Sequence, residues 1–353
     1  SSGANFPNYR EDWVGRVTYN YDTRYFLEVN GAYNGSEKFA REYRFGFFPS
    51  YAVGWLVSNE NFFKNNVPFL THLKLRYSYG TVGSDEGIDR WQYVGGYALT
   101  NRNSQFGWPN LQNNFQIYEE DIIANPDIRW ETAVKQNLGI ETSWLNGLIS
   151  VNFDYYWDHR TNIFMSANQR NVPVFFGADP VAANLGETKT YGWELEASIR
   201  KMYANGFNFF IRANYNHAID QIIFREDPEL APDYLKQAGF QIGQTRSQLN
   251  SGFINSWDDM YTGVLGEVND DALPGDFRQV DFNADGVING LDEVPFGFPS
   301  RPQYQGNFSA GVGFKNFNFN FMLVGAHNVS RIIARGEYSL EYSIVFPFHL
   351  DDS

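Results

Sequence analysis

The chain has no cysteine. That excludes a disulfide framework, a thiolate metal site and a cysteine nucleophile, and it fits a cytosolic or an oxidising compartment equally. Histidine is scarce: the five residues, at 72, 159, 217, 327 and 349, are dispersed and form no ligand spacing. Positive charge is in deficit, 27 Lys and Arg against 41 Asp and Glu for a net charge of −14. A nucleic-acid binder would show a basic patch, so none is expected as a partner. No apolar run reaches the roughly 18 residues of a transmembrane helix. That leaves a transmembrane barrel open, because barrel strands are half polar. No secretory leader is visible. The chain opens on Ser1-Ser2-Gly3 without a methionine, as expected of a mature product or a piece of a longer protein. G-x-S-x-G, H-E-x-x-H and the phosphate loop G-x-x-x-x-G-K-[ST] are all missing, so no enzyme is expected.

What the chain has is aromatic residues: 32 Phe, 22 Tyr and 9 Trp against four Met in 353 residues. Aromatic side chains suit a pleated, half-buried surface. They recur at every second position. In 13–22, Trp13, Gly15, Val17, Tyr19 and Tyr21 oppose Val14, Arg16, Thr18, Asn20 and Asp22. In 25–34, Tyr25, Leu27, Val29, Gly31 and Tyr33 oppose Phe26, Glu28, Asn30, Ala32 and Asn34, after a turn at Asp22-Thr23. The same alternation marks 73–79, 137–144, 149–158, 193–200, 207–216, 308–314 and 317–323. Asn146-Gly147 and Asn205-Gly206 are strong hairpin turns.

These segments predict an all-β fold, a transmembrane antiparallel β barrel seen in part, with about eleven or twelve strands at transmembrane spacing. A soluble β sandwich also alternates. Three features favour the barrel. The strands exceed the usual sandwich length of about 5–6 residues. The polar face, with Asn, Ser, Glu and Arg, suits a hydrated lumen. Very short connections alternate with very long ones over 81–129, 160–188 and 222–302. The best helical candidate is 226–240, expected as a short helix within a loop.

Several stretches resemble the SusC/RagA family of TonB-dependent outer-membrane transporters. They are YNYDTRYFLEVNGAYNGSEKFA (19–40), YRFGFFPSYAVGWLVSNENFF (43–63), LTHLKLRYSYGTVGS (70–84), RWETAVKQNLGIETSWLNGLISVNFDYYWDHRTNIF (129–164) and PGDFRQVDFNADGVINGLDE (274–293). They run in the family's order over nearly the whole chain. Asn34-Gly35-Ser36 stands where the family often has Asp-Gly-Ser, and Asn283-Ala284-Asp285 where it has Asn-Gly-Asp. The resemblance implies a 22-stranded barrel with an N-terminal plug and a TonB-contacting segment. Neither plug nor closing strands are expected in this chain, so residues 1–353 read as part of one barrel domain. It further implies an integral protein of the outer membrane of a Bacteroidota-type bacterium, in contact with lipid and lipopolysaccharide. The partners implied are TonB, a SusD-like lipoprotein lid, surface glycan-binding or hydrolase lipoproteins, and a second barrel–lid pair in a dimer. The function implied is uptake of an oligosaccharide or an oligopeptide. A non-transporting scaffold barrel and a soluble carbohydrate-binding β domain are the alternatives.

One local motif has ligand spacing. In DFNADGVINGLD (281–292), Asp281, Asn283, Asp285, the Val287 carbonyl, Asn289 and Asp292 fall at the liganding positions of an EF-hand loop, with Gly286 at the sharp turn. Ca²⁺ is the expected ion. Asp at the last position is shorter than the usual bidentate Glu, and an Asx-rich turn without metal is the alternative. Trp91, Trp108 and Trp257 are candidate substrate or lid contacts in the long loops. Arg76, Arg212, Glu194 and Glu196 are expected to line the lumen. Glu119-Glu120-Asp121, Asp258-Asp259 and Asp270-Asp271 read as solvated loop charge rather than acid–base machinery.

Overall fold

The computed structural model describes residues 9–105, 114–172, 175, 180–263 and 273–331. Among these, sixteen strands and two short helices follow in order. The strands are β1 (Arg10–Tyr21), β2 (Tyr25–Ser36), β3 (Phe45–Leu56), β4 (Leu70–Ser84), β5 (Gly96–Gln105), β6 (Asn114–Ile122), β7 (Glu131–Trp144) and β8 (Ile149–Met165). Then come β9 (Ala183–Met202), β10 (Phe207–Phe224), β11 (Arg246–Gln248), β12 (Asn250–Phe253), β13 (Phe277–Gln279), β14 (Glu293–Pro295), β15 (Tyr304–Phe314) and β16 (Phe317–His327). Helix α1 (Asn61–Asn66) follows β3, and α2 (Trp257–Thr262) follows β12. Two compact units result: 1–242 with 303–326, and 243–302 with 327–353.

The first unit holds a ten-stranded antiparallel meander in the order β1-β2-β3-β4-β7-β8-β9-β10-β15-β16. The β5–β6 hairpin pairs only with itself. With it, the long strands number twelve. They are longer than the alternation suggests: β8, β9 and β10 have 17, 20 and 18 residues.

The register aligns one residue type per face, because directly opposed residues in an antiparallel pair point the same way. One cross-strand row runs Tyr19, Leu27, Val53, Tyr77, Leu138, Tyr155, Trp193, His217, Tyr304. It stays exposed although largely apolar: Leu27 is 44%, Val53 49% and Leu138 47% accessible. A row one residue over, on the other face, runs Asn20, Phe26, Gly54, Arg76, Gly139, Asp154, Glu194, Asn216, Gln305. A one-residue slip would exchange the two faces, so the pattern itself specifies the register.

The two ends of the sheet differ. At one end the turns are tight: Asp22 and Thr23 adopt φ of 48° and 50°, and Leu145, Asn146 and Gly147 are also left-handed, as hairpin turns require. The β3–β4 connection closes the same end around Glu60. This carboxylate accepts from Tyr25 Oη (2.7 Å), Trp55 Nε1 (3.1 Å) and Arg24 Nη1 (3.3 Å). The Tyr25 hydrogen bond, then that of Trp55, holds the Glu60 carboxyl below its ordinary range.

At the other end the connections are long and fold onto themselves. Phe39, Phe48, Ile88, Ile128 and Trp130 form a buried cluster there, the largest apolar core of the described residues. Phe39 and Ile128 are fully buried, and the Trp130 ring lies 5.0 Å from Phe39 and 5.5 Å from Phe48. Asp85 ties this region to the strands, accepting from Ser36 Oγ at 2.7 Å and pairing with Arg10 at 3.3 Å. Asn34-Gly35-Ser36 is part of the same packing: a Cβ on Gly35 would meet the Phe45 ring.

The expected helix at 226–240 is not formed; the segment is a succession of turns. Pro228 and Pro232 break it, their carbonyls accepting from Ala231 and Leu235 in separate turns. Asp227 Oδ2 then accepts from the N–H groups of Gln237 and Ala238 (3.0 and 2.8 Å), folding the segment back.

Candidate functional site: the polar face of the sheet

Two chemistries divide the polar face. Across β4, β7, β8 and β9 it is ionic. Arg76 reaches Glu141 at 2.9 Å and Asp154 at 2.7 Å. The guanidinium crosses β7 because Gly139 lies beneath it; a Cβ there would stand 2.6 Å from Arg76 Nε. Lys135 pairs with Asp158 at 3.7 Å, and toward the β1 edge Arg16 pairs with Glu28 at 2.7 Å. Glu194 and Glu196 extend the acidic side on β9, opposite Asp154 and Asn152. A recess of about 540 Å³ opens on this face, lined in part by Glu28, Asn30, Ser50, Asn137, Tyr156 and Asp158.

Across β10, β15 and β16 the same face is amide. Asn208, Asn214 and Asn216 oppose Gly313, Asn307 and Gln305. Asn318 and Asn320 lean in from β16 over Gly313 and Gly311, both of which are buried. A Cβ on Gly313 would lie 2.6 Å from Asn318 Oδ1 and 2.8 Å from Asn208 Nδ2, and one on Gly311 would collide with Asn320 and Phe210. Arg212 is the single side chain charged at neutral pH among 208–216, 305–313 and 318–322. Its guanidinium sits 5.7 Å from the Phe210 ring centroid.

Arg76, Arg212, Glu194 and Glu196 thus share the polar face. Asp154, Gly139 and the paired Gly311 and Gly313 complete it. The sequence signal for the glycines is their recurrence at polar-face positions of otherwise bulky strands.

A latch lies beyond the strands. Arg170 makes a two-pronged contact with the Glu226 carboxylate and donates to the Val181 carbonyl, and Glu226 also accepts from the Asn171 N–H at 3.1 Å. The Arg170 hydrogen bond is the main reason the Glu226 carboxyl sits below its ordinary range.

The tryptophan candidates are not gathered into one site. Trp91 lies in the β4–β5 connection in a left-handed conformation, φ 67°, with the Arg90 guanidinium 4.5 Å from its ring. Arg90 is held in turn by Glu37 at 2.9 Å. A bulky residue at positive φ stores backbone strain, a feature that clusters at ligand sites. Trp257 opens α2 and stacks on Tyr261 at 6.3 Å. Trp108, Asp270-Asp271 and His349 lie outside the described residues. Glu119-Glu120-Asp121 falls within β6 rather than in a strand-free loop, and Glu120 is exposed.

The second unit contains the 281–292 loop. Asp281 accepts from Asp285 N–H (3.2 Å) and Gly286 N–H (2.8 Å), Asn283 from Asp285 N–H (2.9 Å), and Asp285 from Val287 N–H (2.9 Å). Asp292 is fully buried and accepts from Phe282, Asn283 and Asn289 N–H groups. Burial pushes its carboxyl up, and these three donors outweigh burial and hold it down. Among the described residues no three Asp, Glu or His side chains are gathered to hold a metal. The loop has the spacing and turn network of a cation loop, but its carboxylates serve its own amides and are not assembled around one point.

Comparison with known proteins accounts for the two-faced sheet. Residues 3–343 match the family model "TonB dependent receptor-like, beta-barrel". The TonB-dependent receptor SusC of Bacteroides thetaiotaomicron is 27% identical over 323 residues, covering 90% of this chain and 31% of that protein. TonB-dependent receptor P26 of Formosa agariphila is 26% identical, covering 89% and 31%. Among solved structures, the RagAB peptide importer in its open-open state superposes with a TM-score of 0.69 at 18% identity, over 91% of this chain and 33% of that one. The chain therefore spans about a third of the length of these relatives. No helix among the described residues is long and apolar enough to cross a membrane; a transmembrane β barrel crosses with strands instead, its apolar face toward lipid and its polar face toward the lumen. This chain belongs to the TonB-dependent receptor-like β-barrel family.

Proposed function

We infer that the chain is a stretch of barrel wall in a SusC-like TonB-dependent transporter that carries a nutrient, an oligosaccharide or an oligopeptide, across the bacterial outer membrane. One observation carries the reading: an antiparallel meander with an exposed apolar face, a polar face, tight turns at one end and long folded loops at the other. A sheet of this kind is stable only with hydrocarbon on one side and water or protein on the other. The chemistry it supports is binding and passage, with no covalent step.

The partners in this reading are TonB, acting through a plug in the lumen, and a SusD-like lipoprotein lid over the long-loop end. Trp91 and Trp257 are the proposed lid or substrate contacts. Ca²⁺ at 281–292 is a separate proposal supported by ligand spacing and by Gly286 at φ 91°. Calorimetry on the full-length protein tests it: a Ca²⁺ heat abolished by Asp281→Ala assigns the ion, and no heat leaves a self-capped turn.

The test of transport is a deletion of the full-length gene, complemented with wild type or with a copy lacking its TonB-contacting segment. Only the wild type is expected to restore growth on the limiting nutrient, and affinity purification in detergent is expected to bring down a lipoprotein lid. Equal restoration by both copies would make the barrel a passive scaffold. Recovery of the protein from the detergent-free soluble fraction would overturn the membrane assignment.

A further inference from the structure

We propose that the turn end of β9, β10, β15 and β16 carries a binding site for an anionic phospholipid, with Lys201 and Lys315 as its headgroup contacts. The inference rests on the transporter reading. That reading puts the apolar face in lipid and the short turns on the periplasmic side, so the lipid belongs to the inner leaflet of the outer membrane.

The two turns are neighbours. Residues 203–206 join β9 to β10, and Lys315-Asn316 joins β15 to β16. Phe207, directly opposite Phe314, sets them side by side. Phe207, Phe209 and Phe314 belong to the apolar face, in the same alternation as His217 and Tyr304. The Tyr203 and Phe207 rings are 5.8 Å apart and those of Phe207 and Phe209 6.3 Å, while Phe317 is 81% accessible. Aromatic belts of this kind mark the level of the headgroups.

Both lysines lie against the belt. Lys201, opposite Phe209, shares the apolar face, and its ammonium is 6.0 Å from the Tyr203 ring centroid. Lys315 stands in the tight turn at φ 52°, its ammonium 5.2 Å from the Phe314 ring centroid. Lysine stems cover apolar surface in this way and end their charge at the headgroups. Lys201 opposes Phe209 and Phe209 opposes Val312, which sets the lysines about 10 Å apart across the strands and about 10 Å along them. Their flexible four-carbon stems reach one headgroup from two sides. Arg200 points to the other face, opposite Phe210, and is not part of the site.

Charge argues for an anion. Residues 197–219 and 303–327 contain no Asp or Glu, although the whole chain has a net charge of −14. Neither lysine is in an ion pair among the described residues. Elsewhere at this end the protein satisfies its own cation: Arg24 pairs with Asp22 at 3.1 Å and Glu60 at 3.3 Å. At Lys201 and Lys315 the counter-charge is left for the lipid to supply. A zwitterionic headgroup carries an ammonium beside its phosphate, so two uncompensated lysines favour a headgroup of net negative charge.

The experiment uses the full-length protein, purified in detergent and offered equal amounts of phosphatidylglycerol and phosphatidylethanolamine. Native mass spectrometry reads the lipid retained. Wild type is expected to prefer phosphatidylglycerol. Lys201→Gln and Lys315→Gln should each lower that preference about fivefold, the usual attraction of one lysine to an anionic lipid surface. Lys201→Arg with Lys315→Arg should keep it. Lys189→Gln is the control, on the apolar face toward the loop end and two residues from Glu187; it should stay within about twofold of wild type. Equal retention of the two lipids by wild type, or an unchanged preference when both lysines are Gln, overturns the proposal and leaves the transporter reading intact. Displacement of the lipid by inorganic phosphate also overturns it, because the lysines would then serve a soluble anion. Recovery of the protein without detergent overturns the transporter reading and the proposal with it.

Discussion

On β4 and β7–β9 the polar face is ionic, and on β10, β15 and β16 it is amide, yet the same device shapes both. Each wall places a glycine in the row so that a neighbouring side chain can lie across the backbone. Gly139 admits the Arg76 guanidinium, and Gly311 and Gly313 admit the amides of Asn320, Asn318 and Asn208. What differs is the partner at the far end. Arg76 ends on two carboxylates; the amides end on nothing within the described protein. A charged group held over a partner is committed to structure, because releasing it leaves buried charge uncompensated. An amide held over a glycine is left available. The ionic wall therefore holds the strands to one another, and the amide wall leaves its polar groups available.

The strongest way to break this contrast is Gly139→Ala. The new Cβ must displace Arg76, and Asp154, largely buried, loses its cation. A loss of about 2–3 kcal/mol is expected, from the usual cost of stranding one partner of a partly buried ion pair. Unfolding of the full-length protein in detergent measures it. In an Arg76→Ala background the same substitution should cost under about 0.5 kcal/mol, because nothing is left to displace. If Gly139→Ala is equally costly with and without Arg76, the ionic wall is not what that glycine serves.

Gly311→Ala is the matched test on the amide wall. It meets the far end of Asn320 and the Phe210 ring, and Asn320 lies on an exposed strand. The amide can swing away, so about 1 kcal/mol is expected. The contrast between the walls sharpens if stability barely moves. A cost equal to that of Gly139→Ala would mean that both walls are structural.

Acid should separate ionic from neutral contacts above the walls. The Glu226 carboxyl, held by Arg170 and the Asn171 N–H, sits below its ordinary value of 4.5. A depressed carboxylate contributes stability in full above that ordinary value, and the contribution is lost as pH falls through the lower, folded value. Proteolysis within 166–172 should therefore accelerate below pH 4.5, and Glu226→Gln should show the fast rate already at neutral pH. A wild-type rate that ignores acid would show that the latch holds without its charge.

Much of the wall is legible in the alternation alone. It places Leu138, Ile140, Phe153 and Leu195 on one face and Arg76, Glu194 and Glu196 on the other, since a strand's period of two leaves no freedom. Strand length is not legible in the same way. β9 and β10 extend past their alternating cores through Thr188–Thr190 and Ala218–Gln221, where the pattern weakens and only the neighbouring strand continues the pairing. The Arg76–Gly139–Asp154 row is hidden because it needs the register of three strands at once. The loop core is hidden for the same reason: Phe39, Ile88 and Ile128 are far apart in sequence and carry no local period. At 226–240 composition suggests a helix, but Pro228 and Pro232 and the Asp227 side chain favour turns.

The smallest expected effect runs the role of glycine in reverse. On the walls, glycine is retained for space; at position 284 the backbone calls for glycine and alanine stands there. Ala284 adopts φ 58° between two Asx turns, a left-handed conformation that costs an alanine about 1 kcal/mol relative to glycine. Ala284→Gly should therefore stabilise the loop, by about 0.5 kcal/mol after the larger unfolded-state entropy of glycine is set against the relief of strain. Hydrogen exchange at the Asp285, Gly286 and Val287 amides, which are bonded to Asp281, Asn283 and Asp285, is the sensitive readout and should slow about twofold. Faster exchange would mean that Ala284 is held in a comfortable turn and that glycine adds only disorder. The loop would then be shaped by its carboxylates alone, as the ionic wall is.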